Sequence, residues 1–151
     1  MSDHKIIRYG LAEDIPEIVV MASKFWANTV YDEDYCPATI KHMAEAAIEQ
    51  ELMVVLEIDH AVVGFACGLK GALLGNSSIA TGIELAWWVN EEHRKGSNGV
   101  RLLKSLELAA KEAGIKYWNV VFMESSMPEE VEGLYTALGY NKVETTYMKV
   151  L

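Results

Sequence analysis

The sequence predicts a mixed α/β (α+β) domain, and two features predict it. Two short and largely apolar runs, 52–58 and 61–69, are separated by a tight turn, which is typical of an antiparallel hairpin. Further on, a strand pattern over 79–89 precedes a helical pattern over 98–113 and another strand pattern over 116–123. The strands of such a strand–helix–strand unit lie side by side and parallel, because the helix returns the chain to the same end of the sheet.

The remaining elements follow from periodicity and turn residues. Acidic residues just before Pro16 favour a helix start because they complement the helix dipole, and glycines at 114 and 139 favour helix ends. A stretch rich in Gly, Ser and Asn predicts a loop. In chain order we expect strand 5–9, helix 12–26, helix 38–50, strands 52–58 and 61–69, loop 71–78, strand 79–89, helix 98–113, strand 116–123, helix 128–138 and a strand region at 140–151.

Composition narrows the function classes. The 151 residues suit one domain spanning 1–151, and 51% of them are hydrophobic. A net charge of −9 argues against nucleic acid binding and favours either a cationic substrate or simple solubility. No apolar run is long enough to cross a membrane, and the N-terminus is unlike a signal peptide, so a cytoplasmic location is expected. Cys36, Cys67 and the four histidines show no ligand spacing, so no metal is predicted.

The turn between the strand at 79–89 and the following helix has the chemistry of an anion site. Its residues 94–99 read Arg-Lys-Gly-Ser-Asn-Gly. The first N–H groups of a helix have no intrahelical acceptor and carry partial positive charge, and Arg94, Lys95 and Arg101 add cations. The turn has neither the Gly-Lys-Ser/Thr of a nucleotide phosphate loop nor a Gly-x-Gly-x-x-Gly. A structural turn without a ligand also remains open.

The run 93–103 resembles the acyl-coenzyme A signature of the GCN5-related N-acetyltransferase (GNAT) superfamily, Arg/Gln-x-x-Gly-x-Gly/Ala followed by a Leu-rich helix. Arg94 and Gly99 match its ends, and Ser97 stands where the middle glycine is usual. The resemblance implies a mostly antiparallel central sheet of about six to seven strands, with one parallel strand–helix–strand unit and helices on both faces. In that fold, the two parallel strands splay apart and the pantetheine arm of the coenzyme enters the gap.

The activity implied by this resemblance is N-acetyl transfer from acetyl-CoA, the co-substrate, directly to a small amine or a protein amine. The alternatives are a non-catalytic acyl-CoA-binding regulatory module and an α/β domain that binds no coenzyme. The coenzyme-binding residues implied are Trp88, Val89, Arg94, Lys95, Gly96, Ser97, Asn98, Gly99, Val100 and Tyr135.

Two residues are candidates for proton transfer. Tyr135, in a Tyr-x-x-Leu-Gly-Tyr segment, matches the tyrosine that protonates the coenzyme sulfur in many GNAT members. The alternative is a core tyrosine that packs the last helix on the sheet. Glu84 is the candidate base, because apolar neighbours on its strand would raise its pKa. An exposed strand position is the alternative for Glu84, and Glu124 is a weaker candidate base.

The loop at 29–37 is the expected acceptor region. Tyr31, Asp32 and Tyr35 would hold an amine by charge and aromatic contact, whereas a solvated acidic loop is the competing interpretation. The sequence does not identify the acceptor. The short C-terminal strand region and the apolar pair Trp87 and Trp88 make a homodimer plausible.

Overall fold

A computed structural model describes residues 3–125 and 127–151. The chain divides into two compact units, Met1–Val121 and Phe122–Leu151. The described residues form five strands and four helices, which we number in chain order. These are β1 (Lys5–Tyr9), α1 (Ile15–Trp26), α2 (Pro37–Glu49), β2 (Met53–Ile58), β3 (Ala61–Leu73), β4 (Asn76–Val89), α3 (Asn98–Glu112), β5 (Tyr117–Asn119) and α4 (Pro128–Ala137).

The sheet of the first unit has the strand order β1-β2-β3-β4-β5. The first four strands pair antiparallel, and β5 pairs parallel to β4, so the predicted hairpin and the predicted parallel unit are both confirmed. Asp59 and His60 join β2 to β3 with φ of 49° and 69°. Positive φ at both central residues is the geometry of a type I′ turn, whose twist matches that of the flanking strands.

Three sequence expectations about strands differ from the structure. The predicted loop at 71–78 is wrong, because β3 and β4 extend through it to a turn at Gly75, where φ is 92°. The Gly, Ser and Asn residues of this stretch have low intrinsic strand propensity. Cross-strand pairing, such as that of Gly71 with Thr81, stabilises the strand conformation there. Within the described residues, β5 covers only Tyr117–Asn119 of the strand predicted at 116–123, and the strand region predicted at 140–151 joins no sheet. The predicted sheet of six to seven strands is therefore not confirmed.

Strand β2 lies between two layers of helices. Met53 and Val55 pack with α1 and α2, whereas Val54 and Leu56 pack with α3. Successive strand residues point to opposite faces, so a strand covered on both faces is apolar at almost every position. Helices on both faces of the sheet are therefore present in this unit.

Two glycines let the Trp118 ring approach β3 and β4 closely. A methyl group at Gly68 would lie 2.5 Å from the Trp118 ring and 2.6 Å from the carbonyl oxygen of Ile83. A methyl group at Gly82 would meet the same ring at 3.0 Å. The close approach of Trp118 holds β5 against β4 at the point where the two strands begin to pair.

We expect Gly68→Ala to destabilise the protein by about 3 kcal/mol, because backbone and ring atoms must both move to accommodate the methyl group. Gly71→Ala is the matched control on the same strand, since no atom lies within 4 Å of an added methyl group there. Urea unfolding followed by tryptophan fluorescence measures both. Equal stabilities for the two variants would contradict the packing of Trp118 against Gly68.

Candidate active site

The parallel pairing of β4 with β5 stops early. It joins Thr81–Ile83 to Tyr117–Asn119, while β4 continues to Val89. No described strand pairs with the β5 side of residues 84–89, which we call the open edge of β4. An open edge beside a short parallel pair is what the splay implied by the resemblance would produce, and such an edge offers backbone groups to an extended ligand.

The backbone of Val89 faces this open edge. Asn90 N–H donates to the Val63 carbonyl at 2.9 Å, so Asn90 and Val63 form a hydrogen-bonded pair of the antiparallel ladder. Such pairs alternate with pairs whose backbone groups point outward, which directs the N–H and C=O of Val89 away from β3. The outward carbonyl accepts a hydrogen bond from Arg94 Nε at 2.7 Å.

A β-bulge lies within the open edge. Cys67 pairs with Ala86 and Gly68 pairs with Glu84, which leaves Leu85 as the extra residue on β4. Leu85 packs with Ala86 against the α1–α2 core, whereas Trp87 packs on the side of α3. The bulge interrupts the alternation of faces next to Glu84.

Glu84 is buried, with 4% of its surface exposed. Desolvation by burial raises the pKa of Glu84 to about 7, although its Oε2 accepts a long hydrogen bond from Val121 N–H at 3.5 Å, which acts in the opposite direction. The interpretation of Glu84 as an exposed strand residue is therefore wrong. A carboxyl group with this pKa exchanges its proton near neutral pH, as a general base must.

The turn after β4 keeps its cations exposed. A short 3-10 turn, Glu91–His93, leads to Ser97 and the first turn of α3. Lys95 and Arg101 are exposed to solvent, as is the backbone of Gly96. Gly96 carries the left-handed conformation with φ of 78°, whereas Ser97 has φ of −100°. Serine in place of the usual middle glycine therefore imposes no backbone strain on this turn.

Several predicted coenzyme residues hold the turn in place. The Asn98 side chain is buried and donates to the His93 carbonyl at 2.8 Å, and Trp87 Nε1 donates to the Gly99 carbonyl at 3.1 Å. The Arg94 guanidinium lies 4.3 Å from the centre of the Trp88 ring. These contacts fix the N-terminus of α3 and leave its first N–H groups, including those of Gly99 and Val100, directed beyond the helix end.

The three predicted acceptor residues do not all have the same surroundings. Tyr31 is half-exposed and stacks on Trp26 at 5.5 Å between ring centres, and Asp32 is exposed. The Tyr35 hydroxyl donates to the Val19 carbonyl at 2.7 Å, and its ring packs on the core. Tyr35 therefore anchors the loop to α1, and only Tyr31 and Asp32 remain accessible to an acceptor.

A shallow pocket was missed by the sequence reasoning. It has a volume of about 320 Å³ and lies on β3, β4 and β5, where β4 pairs with β5. The prediction of a loop over 71–78 ended β3 too early and concealed it. No local pattern around Gly75 signals it, because the only apolar residues in 70–78 are the short run Ala72–Leu74. The lining residues are Leu69, Lys70, Gly71, Thr81, Gly82, Ile83 and Asn119.

Tyr135 belongs to the second unit. It lies in α4, is buried with 6% of its surface exposed, and its ring centre is 5.7 Å from that of Tyr140 at an interplanar angle of 54°.

Among the residues that the structure describes, no group of three or more His, Cys, Asp or Glu side chains could hold a metal ion. Within the same residues, no helix has the length and apolar character needed to cross a membrane.

The model of the GNAT acetyltransferase family matches residues 18–140. The chain therefore belongs to the GNAT family of acetyltransferases. Comparison with curated protein sequences gives no significant match.

Solved structures share the fold at low sequence identity. An aminoglycoside N-acetyltransferase, AAC(6')-Iy, in complex with CoA has a TM-score of 0.78 and 12% identity, covering 100% of this chain and 97% of its own. A predicted acetyltransferase with acetyl-CoA from Clostridium acetobutylicum has a TM-score of 0.74 and 14% identity, covering 98% and 96%. A ribosomal-protein-alanine N-acetyltransferase from Brucella melitensis biovar Abortus 2308 has a TM-score of 0.68 and 16% identity, covering 98% and 99%.

Proposed function

We propose that this protein transfers an acetyl group from acetyl-CoA to an amine acceptor by direct transfer. The observation that carries the proposal is the buried Glu84 carboxyl at the open edge of β4, on the same strand that leads into the cationic turn. Family membership supports acetyl transfer in general. The amine acceptor is our inference from the proton chemistry of Glu84, since an ammonium group must lose a proton before it can attack.

The residues of the turn fit the anionic end of a coenzyme A ligand. Exposed Lys95 and Arg101, the backbone of Gly96 and the first N–H groups of α3 supply donors and positive charge for a pyrophosphate. Arg94 contributes mainly by positioning, because its Nε is already bonded to the Val89 carbonyl.

In the proposed reaction, each protein group moves or holds one proton or charge. Acetyl-CoA supplies an acyl group activated as a thioester. Glu84 takes a proton from the acceptor ammonium, whose free electron pair then forms the C–N bond as the C–S bond breaks. The Val89 N–H donates to the carbonyl oxygen, where negative charge develops. Tyr135, as the resemblance implies, gives its proton to the departing sulfur and regains one from solvent, while the new amide nitrogen releases its second proton to solvent.

We assign contact with the non-reacting part of the acceptor to Tyr31 and Asp32, the accessible residues of the loop at 29–37. The shallow pocket beside β5 lies on the side of Ile83, and the Glu84 side chain points to the opposite face of the strand, so the pocket is not part of this assignment.

A non-catalytic acyl-CoA-binding module is the alternative function. The replacement of the usual glycine by Ser97 is the feature that favours it. The unstrained φ of Ser97 weakens this argument, because the turn keeps its geometry with serine. Turnover with binding intact distinguishes the enzyme from the module.

Isothermal titration with acetyl-CoA and with free CoA tests the coenzyme site. We expect saturable binding of both, and release of free thiol when amines are added. Lys95→Glu should weaken the affinity about tenfold, whereas Lys111→Glu, the same charge change at the other end of α3, should leave it unchanged. No binding at millimolar coenzyme would overturn both the transferase and the module.

A further inference from the structure

One aromatic ring lies beside Glu84 on the α3 face of the sheet. Glu84 pairs with Gly68 of β3, and Gly82 lies two residues before Glu84 on the same face of β4. Neither glycine has a side chain that could cover the Glu84 carboxyl. The Trp118 ring takes this space, because a methyl group would lie 2.5 Å from the ring if placed at Gly68 and 3.0 Å from it if placed at Gly82. Trp118 is therefore the side chain of β5 that flanks Glu84.

The register of the strands limits the distance between the ring and Glu84. The Cβ positions of directly paired strand residues lie about 4.5–5.5 Å apart. The nearest Trp118 ring atom is 2.5 Å from the Cβ position at Gly68, which is the residue paired with Glu84. The edge of the ring therefore lies within about 8 Å of the Glu84 Cβ, close enough to keep water from one side of the carboxyl.

The indole of Trp118 contributes its size rather than a hydrogen bond. Its ring packs against the apolar cluster that includes Leu102 and Leu106 of α3. Its Nε1 atom is buried and has no hydrogen-bond partner among the described residues. A buried donor without a partner lowers stability, so apolar packing holds the ring in place.

The titratable groups around Glu84 leave exclusion of water as the main control on its proton affinity. Burial is the largest cause of the raised pKa of Glu84, and the Val121 N–H acts against it. On β3, the Cys67 thiol is buried and its own pKa is raised in part by Glu84, while Lys70 Nζ donates to the Ala113 carbonyl at 3.0 Å. Strand β5 carries no charged residue, and α1 and α2 pack on the opposite face of the sheet. The charged side chains of α3 are exposed to solvent, and they are Arg101, Lys104, Glu107, Lys111 and Glu112.

We propose that Trp118 is a positioning residue, whose ring excludes water from the Glu84 carboxyl and so makes Glu84 a stronger base. This inference rests on the proposed role of Glu84 in acetyl transfer. Gly68 and Gly82 make room for the ring, so they act on the base through Trp118. A smaller side chain at position 118 admits water, which stabilises the carboxylate and lowers the pKa of Glu84 from about 7 towards its ordinary value of 4.5.

Direct titration tests this inference without turnover. Carbon-13 NMR of protein labelled at the glutamate carboxyls follows Glu84, whose signal is identified by its loss in Glu84→Gln. We expect the pKa of Glu84 to fall by about one unit in Trp118→Phe and further in Trp118→Ala, and the phenylalanine variant carries the test if the alanine variant does not fold. Tyr117→Phe is the matched control on β5, since the Tyr117 ring is half-exposed, and it should leave the pKa unchanged. Equal pKa values for Glu84 in wild type and in Trp118→Phe would overturn the inference.

The pH dependence of turnover separates positioning from packing. In Trp118→Phe, the acid limb of kcat/KM should move down by about one pH unit, and the plateau should fall about threefold because a weaker base accepts the proton less readily. A rate that falls equally at every pH would assign Trp118 to packing alone and overturn the inference. If the wild type turned over no amine, the proposed acetyl transfer would fail, and the NMR titration would still decide whether Trp118 controls Glu84.

Discussion

Glu84→Gln is expected to lower kcat/KM for acetyl transfer by about 100-fold at neutral pH, because the amide cannot accept the proton of the acceptor ammonium. In the wild type, kcat/KM should fall about tenfold per pH unit below about 7, since the base must be deprotonated and the pKa of Glu84 is about 7. That dependence should be absent in the variant when the same acceptor is used. Free thiol release across pH 5.5–9 gives both profiles.

Binding and stability controls separate this catalytic role from a structural one. Glu84→Gln should retain its affinity for acetyl-CoA by calorimetry. Burial raises the pKa of Glu84 from 4.5 to about 7, so its contribution to stability is fully present below pH 4.5 and is lost as pH rises through 7. The free energy of unfolding should fall by about 3 kcal/mol over this pH range in the wild type. Urea unfolding of the glutamine variant should not show this fall. An unchanged pH–rate profile in the variant would show that Glu84 is not the base.

Tyr135→Phe should lower kcat about 100-fold while coenzyme affinity stays the same, because phenylalanine keeps the buried ring and removes only the proton donor. Tyr140→Phe is the matched control, since the two rings contact each other in the same unit. We expect little change in kcat for the control. Stopped-flow measurement of thiol release, with calorimetry for coenzyme affinity, gives the two quantities.

The two tyrosine variants also test the alternative function. A non-catalytic module would bind coenzyme and show no turnover in wild type or in either variant. Equal kcat for the two variants in an active enzyme would assign Tyr135 to packing alone.

Local patterns predicted much of this fold. The type I′ turn at Asp59 and His60, the helix after the cationic turn and the parallel strand unit all depend on residues close in sequence. The motif around Arg94 led to the family that the comparisons confirm. The signal was sufficient there because turn chemistry and helix starts are set by neighbouring residues.

The candidate site was predicted less completely. Glu84 was singled out from its apolar neighbours, and its burial agrees with that expectation. Tyr35 was assigned to the acceptor, but its hydroxyl is bonded to α1. The pocket containing Ile83 was missed, because three strands must meet before it exists.

The sequence by itself determined the order of the elements, the hairpin turn, the cationic turn and the identity of the candidate base. Tertiary structure alone decided that β5 pairs with β4 for only three residues, that Leu85 forms a bulge, and that Val89 N–H faces the open edge. These features depend on the register between strands that are distant in sequence. Register is fixed by packing on both faces of the sheet, which local propensity does not encode.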